Sequence, residues 1–157
     1  REVREFCDGP IALSGSISEG SSVLSALALG ADFAYVGTKF IATEEANASP
    51  GYKQMIIDST ADDIMYSATF TGVNGNYLRP SVEAAGLNPE EHTSGSKDDM
   101  NFSTSAIAKK DNSSKAWKDI WGSGQGIGTI KDAPSVQTAV DQMVSEYEEA
   151  KSRLDNF

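Results

Sequence analysis

The chain has one cysteine, Cys7, and one histidine, His92, in 157 residues. A lone thiol excludes an intrachain disulfide framework and suits a reducing compartment, here expected to be cytoplasmic. With no second histidine or cysteine there is no ligand spacing for a metal, and none is expected. Basic residues are also scarce: 13 Lys and Arg stand against 23 Asp and Glu, a net charge of −10. That argues against nucleic acid and anionic membrane as partners, since both reward basic surface. No apolar run approaches the roughly 18 residues of a membrane helix. No charged-then-apolar leader is visible either, so the sequons at Asn47, Asn101 and Asn112 are read as chance. The first residue is Arg1 rather than Met, and a longer parent chain is the expectation.

What is present suits a folded domain: 39% hydrophobic and 8% aromatic residues. Pro10-Ile11-Ala12-Leu13 is a short apolar run bounded by Gly9 and by Ser14-Gly15-Ser16. It reads as a strand buried on both faces, as parallel strands are. Ser18 is the expected N-cap of a helix carrying Val23, Leu24, Leu27 and Ala28, stopped by Gly30. Phe33-Ala34-Tyr35-Val36 is the second strand, ending at Gly37-Thr38. Strand, helix, strand makes a right-handed parallel βαβ unit. Two such strands need further strands beside them, and the rest of the chain supplies no obvious set.

Residues 44–125 are more polar, with a short helix at 52–57, β-formers at 65–71, a loop at 90–99, and a helix at 115–121 carrying Trp117 and Trp121. Residues 134–154 read as one long amphipathic helix, with Pro134 in its first turn. Its expected apolar stripe is Val136, Val140, Met143, Tyr147, Ala150 and Leu154.

The candidate site is a pair of strand ends. Ser14-Gly15-Ser16 closes the first strand and Gly37-Thr38 the second, each before a helical segment. Small residues let backbone N–H groups approach an anion, and helix N-termini add positive partial charge. Neighbouring parallel strands place both turns beside one phosphate, as the last two βα loops of (β/α)8 barrels do. Other candidates carry less. His92 lies in a polar stretch and reads as solvated. Cys7 has no visible base to activate it. Asp62-Asp63 and Asp98-Asp99 read as cap or surface charge. The glycines from Gly122 to Gly128 fail the G-x-G-x-x-G spacing at Ile127 and Thr129, so they are no dinucleotide fingerprint.

Three blocks carry a family resemblance: Ile11-Ala12-Leu13-Ser14-Gly15-Ser16-Ile17, Ala26-Leu27-Ala28-Leu29-Gly30-Ala31-Asp32, and Val36-Gly37-Thr38-Lys39-Phe40 with Thr43-Glu44-Glu45. With Tyr52-Lys53, Phe70-Thr71-Gly72 and Trp121-Gly122-Ser123-Gly124-Gln125-Gly126-Ile127-Gly128, the sequence resembles the nitronate monooxygenase (2-nitropropane dioxygenase) family. The resemblance implies an FMN-dependent (β/α)8 barrel, the TIM barrel, that oxidises alkyl nitronates with O2. It implies FMN-phosphate contacts at Ser14, Gly15, Ser16, Tyr35, Val36, Gly37 and Thr38. Ser16 departs from the family's Gly-Gly pair. The Gly122–Gly128 segment would return over the flavin. The family's catalytic histidine and most ring contacts precede the penultimate strand, so no catalytic residue is expected in this chain.

The resulting expectation is an α/β fold: the last two parallel strands and the closing helix of a TIM barrel, with a mostly helical insert. Residues 1–43 and 126–157 would be barrel and residues 44–125 a lid or substrate domain. The missing N-terminal part of the barrel would be the chief partner, with a homo-oligomer possible, and this chain alone would be inactive. Two alternatives stay open. One is a different phosphate-holding barrel, resembling FMN-dependent enoyl-ACP reductases or IMP dehydrogenase and GMP reductase. The other is a non-catalytic phosphate-binding or oligomerising fragment.

Overall fold

The computed structural model describes residues 2–70, 73–92 and 119–156. The chain divides into two compact units: residues 1–57 with 126–157, and residues 58–125.

The first unit begins with a 3-10 turn, Glu2–Glu5, and two parallel strands, β1 (Ala12–Ser14) and β2 (Phe33–Tyr35). Their register pairs Ala12 with Phe33, Leu13 with Ala34 and Ser14 with Tyr35. Helix α1 (Gly20–Ala28) connects them, completing the βαβ unit that the apolar spacing predicts. The N-cap is Glu19 rather than Ser18. Glu19 and Ser22 form a reciprocal capping box, which takes the free amides one position later than expected. Gly30 has φ 95°, the left-handed conformation that ends a helix cheaply only with glycine.

The strands are not buried on both faces, contrary to expectation. Leu13 and Ala34 are half-buried, whereas Ala12, Ser14, Phe33 and Tyr35 are exposed. Period-2 geometry puts those last four on one face of the sheet. That face is bare among the described residues, with Phe33 61% and Tyr35 66% exposed.

The sheet's starting end is held by a polar latch. Asp32 accepts the Ile11 N–H at 2.8 Å and an Arg4 guanidinium N–H at 2.5 Å. Arg4 also donates to the carbonyls of Gly9 at 2.7 Å and Gly30 at 3.0 Å. One arginine thus ties the N-terminal turn to the entrances of both strands.

After β2 come α2 (Thr38–Ile41) and α3 (Pro50–Asp58). The long helix, here α5, is Val136–Leu154, capped by Ser135, whose hydroxyl oxygen accepts the Thr138 N–H at 3.1 Å. Pro134 therefore precedes the cap and is not in the first turn. The buried face also differs from the expected stripe. Ala139, Met143 and Ala150 are buried, while Val136, Val140 and Leu154 are exposed. Small residues win because α5 approaches α1 closely. A β-carbon on Gly20 would lie 2.0 Å from the Met143 carbonyl oxygen and 2.3 Å from the Tyr147 nitrogen. The Gly20 N–H donates to the Glu146 carboxylate at 2.7 Å.

The second unit, among its described residues, centres on a sheet rather than on helices. Strands β3 (Ile64–Ser67) and β4 (Gly75–Leu78) pair antiparallel, followed by α4 (Arg79–Ala84). Met65, Phe70, Val82 and Ile120 form its core, with Tyr77, Ala85 and Leu87 against it. Phe70 and Tyr77 meet edge to face at 4.9 Å. Residues 121–123 run alongside β4: the Leu78 N–H donates to the Trp121 carbonyl at 2.8 Å, and the Ser123 N–H to that of Asn76 at 3.2 Å. Trp117, Thr71, Gly72, Asp98 and Asp99 lie outside the described residues.

Two outcomes are expected. Gly20→Ala forces a methyl into the α5 backbone and destabilises the fold by about 3 kcal/mol, the upper range for overpacking, read by urea denaturation. For Asp32, the Ile11 amide first, and the Arg4 side chain second, hold the carboxyl below its ordinary value of 3.8. A depressed folded value means the carboxylate's stabilisation is complete above about pH 4 and disappears as pH falls through the folded value. Thermal melts from pH 7 to pH 2 should show that loss in the native chain and a shallower acid dependence in Asp32→Asn.

Candidate functional site

The site follows from the strand register. Ser14 and Tyr35 are paired, so the two turns leaving them lie side by side. One turn is Gly15-Ser16, the other Val36-Gly37-Thr38. All seven residues that the sequence singles out, Ser14, Gly15, Ser16, Tyr35, Val36, Gly37 and Thr38, belong to this one end of the sheet. Ser14, Gly15, Ser16, Tyr35 and Gly37 are exposed, and Val36 and Thr38 half-buried.

The backbone at the first turn is unusual. Gly15 has φ 106° and Ser16 has φ 55°, both left-handed. Gly15 needs to be glycine for that reason, and a β-carbon on it would meet nothing within 4 Å. Ser16 pays strain of order 1 kcal/mol for the same conformation. Gly37 is a different case. Its φ of −109° suits any residue, and a β-carbon there would also meet nothing within 4 Å. Neither backbone conformation nor packing within the described residues demands glycine at 37. A ligand lying against the backbone would demand it.

Donors cluster in these two turns. Among the described residues, the N–H groups of Ser16, Gly37 and Lys39 have no hydrogen-bond acceptor in the chain. Gly37 and Lys39 sit at the opening turn of α2, where first-turn amides lack helical partners. The Ser16 hydroxyl adds a side-chain donor, and Thr38 carries a second hydroxyl. The arrangement fits a phosphate, which wants several N–H and O–H donors and close backbone approach.

One expected contributor is absent. The N-terminus of α1 does not serve an anion, because the Glu146 carboxylate already occupies the Gly20 amide. A phosphate beside it would meet negative charge instead of a free helix end.

Several conspicuous residues near the site are structural. The Thr43 hydroxyl donates to the Phe40 carbonyl at 2.8 Å. The Glu44 N–H donates to the Pro134 carbonyl at 3.0 Å. The Glu45 carboxylate accepts the Val136 N–H at 2.9 Å. The Lys53 ammonium donates to the Glu44 carbonyl at 2.9 Å. Burial pushes the Tyr52 phenol above its ordinary 10.0. Lys39 is 8% exposed, the one buried charged side chain among the described residues. The sequence reading gave it no separate role. It also missed Ser18 as a contact of the return segment: the Thr129 hydroxyl donates to Ser18 Oγ at 2.9 Å. His92 ends a 3-10 turn, Pro89–His92, in the second unit.

Comparison with known proteins gives the family and the kind of fold. A family model described as nitronate monooxygenase matches residues 1–146. A nitronate monooxygenase of Paraburkholderia phytofirmans is 30% identical over 89 residues, covering 57% of this chain and 24% of that protein. Among solved structures, FabK from Thermotoga maritima superposes with a TM-score of 0.73 at 21% identity, covering 99% of this chain and 49% of that one. Nitroalkane oxidase from Streptomyces ansochromogenes gives 0.70 at 25% identity, covering 98% of this chain and 43% of that one. The chain thus spans about half the length of the solved structures it matches. Both are TIM-barrel enzymes, and the α/β fold with its parallel strand pair is of their kind.

If Ser16 carries strain that the chain itself imposes, Ser16→Gly should relieve it. The expected net gain is up to about 0.5 kcal/mol after the extra chain entropy of glycine, measured as an upward shift in the urea midpoint.

Proposed function

The chain belongs to the nitronate monooxygenase family of oxidoreductases, and we propose that it supplies the phosphate end of an FMN site in an enzyme that oxidises alkyl nitronates with O2. The observation that carries this is the pairing of Ser14 with Tyr35, which sets Gly15 and Gly37 side by side with open space before both. Flavin chemistry fits the family; FMN, rather than a phosphate-free flavin, is the proposal.

In this reading, the Ser16, Gly37 and Lys39 amides and the Ser16 and Thr38 hydroxyls hold the phosphate. Ser14 and Tyr35 border it at the strand ends, and Val36 fixes the second turn through its half-buried side chain. When bound, the flavin supplies the electron acceptor for nitronate oxidation and passes electrons to O2. This chain's part is to anchor the flavin's far end, which fixes where the ring lies. No described residue here is placed as the catalytic base, and His92 is not drafted for that role. The base and ring contacts belong to further strands of the barrel. Those strands would also cover the bare face of Phe33 and Tyr35.

Titrating the chain with FMN and with riboflavin, which lacks the phosphate, tests the proposal. FMN should bind more tightly, and Thr38→Ala should cost FMN about 1 kcal/mol, the worth of one hydrogen bond, with riboflavin unaffected. Equal affinity for the two flavins in the native chain would remove the phosphate site.

A further inference from the structure

The left-handed Ser16 poses a question of its own. A non-glycine residue stays in that conformation only where its surroundings over-determine it. The surroundings here come from far along the chain. The segment Gln125–Thr129 is a 3-10 turn whose Ile127 is fully buried, with Ile130 just beyond it 2% exposed. A β-carbon on Gly126 would lie 2.8 Å from Ser18 Oγ, 2.9 Å from the Ser16 carbonyl oxygen and 3.0 Å from the Ser16 carbonyl carbon. Gly126 therefore rests directly on the Ser16 backbone. Three residues later, the Thr129 hydroxyl donates to Ser18 Oγ at 2.9 Å and lies 3.2 Å from the Gly126 carbonyl. Ser18 is 4% exposed, and its N–H donates to Ser22 Oγ at 3.3 Å. The Gly15 side of the same turn stays open.

We infer that Gly126, Thr129 and Ser18 are positioning residues that brace the Gly15-Ser16 turn and so set the preference for a phosphorylated flavin. The inference rests on the phosphate reading above. The brace backs the turn against a buried anchor, Ile127, and leaves its open side to the anion. Without it the Ser16 amide can relax toward an ordinary conformation, turning its N–H away from the phosphate. None of the three touches the ligand; their effect passes through Ser16.

The test compares FMN and riboflavin affinities in the full chain and in Thr129→Val, Thr129→Ser, Ser18→Ala and Gly126→Ala, with a thermal melt of each. Thr129→Val should weaken FMN about fivefold, the scale of one hydrogen bond, and leave riboflavin unchanged. Thr129→Ser should restore FMN binding. Ser18→Ala should behave as Thr129→Val, and Gly126→Ala should lose at least tenfold in FMN because its methyl displaces Ser16. A native chain that prefers FMN, with the same preference retained in Thr129→Val and Ser18→Ala, overturns the brace and leaves the phosphate site standing. A native chain with no preference overturns both. Equal weakening of FMN and riboflavin in Thr129→Val, without rescue by Thr129→Ser, overturns the brace as well, since a merely structural role gives that pattern.

Discussion

The close approach of Gly20 to α5 (Val136–Leu154) is the constraint on which the first unit depends. No side chain fits between the start of α1 and the Met143–Tyr147 backbone, so the two helices meet backbone to backbone. That approach needs small neighbours, and Ala26, Ala139 and Ala150 are all buried. It also puts Glu146 within 2.7 Å of the Gly20 amide, where a carboxylate is favoured. The contact joins residues 126 positions apart. By fixing α5 against α1, it also fixes the segment leading into α5. That segment brings Gly126 and Thr129 onto the turn after β1. The geometry of the proposed anion site is thus downstream of a packing contact that contains none of its residues.

The same contact limits the electrostatics of the site. A carboxylate on the Gly20 amide offsets the positive potential of the α1 N-terminus, and the whole chain carries −10. A phosphate bound here gains little from long-range field. On the proposed reading it is held by donors at hydrogen-bond distance, the amides and hydroxyls of two short turns. Short-range donors reward exact placement, because a hydrogen bond weakens steeply with angle and distance. On the same reading, the left-handed Ser16 gives its amide a direction that an ordinary turn would not.

Much of this was legible in the sequence, for local reasons. Apolar runs closed by Gly and Ser gave both strands of the βαβ unit, since turn chemistry is written in adjacent residues. The seven candidate residues fall together because consecutive parallel strands are neighbours. What the sequence hid depends on distant partners. The expected stripe on α5 took the large residues, but a close helix pair buries the small ones, and nothing next to Gly20 in the sequence marks the distant backbone that it meets. Ser18 was read as a cap from its type alone, whereas Glu19 and Ser22 satisfy each other and free Ser18 to meet Thr129. Asp32 sits in a run shared with the family, yet its role here is structural, on Arg4 and Ile11.

The bare face of the sheet follows from the same division of labour. A two-stranded parallel sheet of three-residue strands has few ladder bonds, and parallel sheets ordinarily need cover on both faces. Here α1 covers one face and nothing described covers the other, where Phe33 and Tyr35 stand exposed beside Ala12 and Ser14. The strands keep their register because their ends are pinned. Arg4 and Asp32 hold the entrance through two side chains and three backbone groups. Gly126 and Thr129 hold the exit through Ser16 and Ser18. A sheet pinned at both ends presents two aromatic rings at fixed spacing on a face with no cover of its own. Burying those rings removes apolar surface worth about 25 cal/mol per Å² without a further cost for ordering the strands. On the proposed reading, the βαβ unit is thereby preorganised to receive neighbouring strands, with the two proposed phosphate turns at the rim where a barrel would close around them.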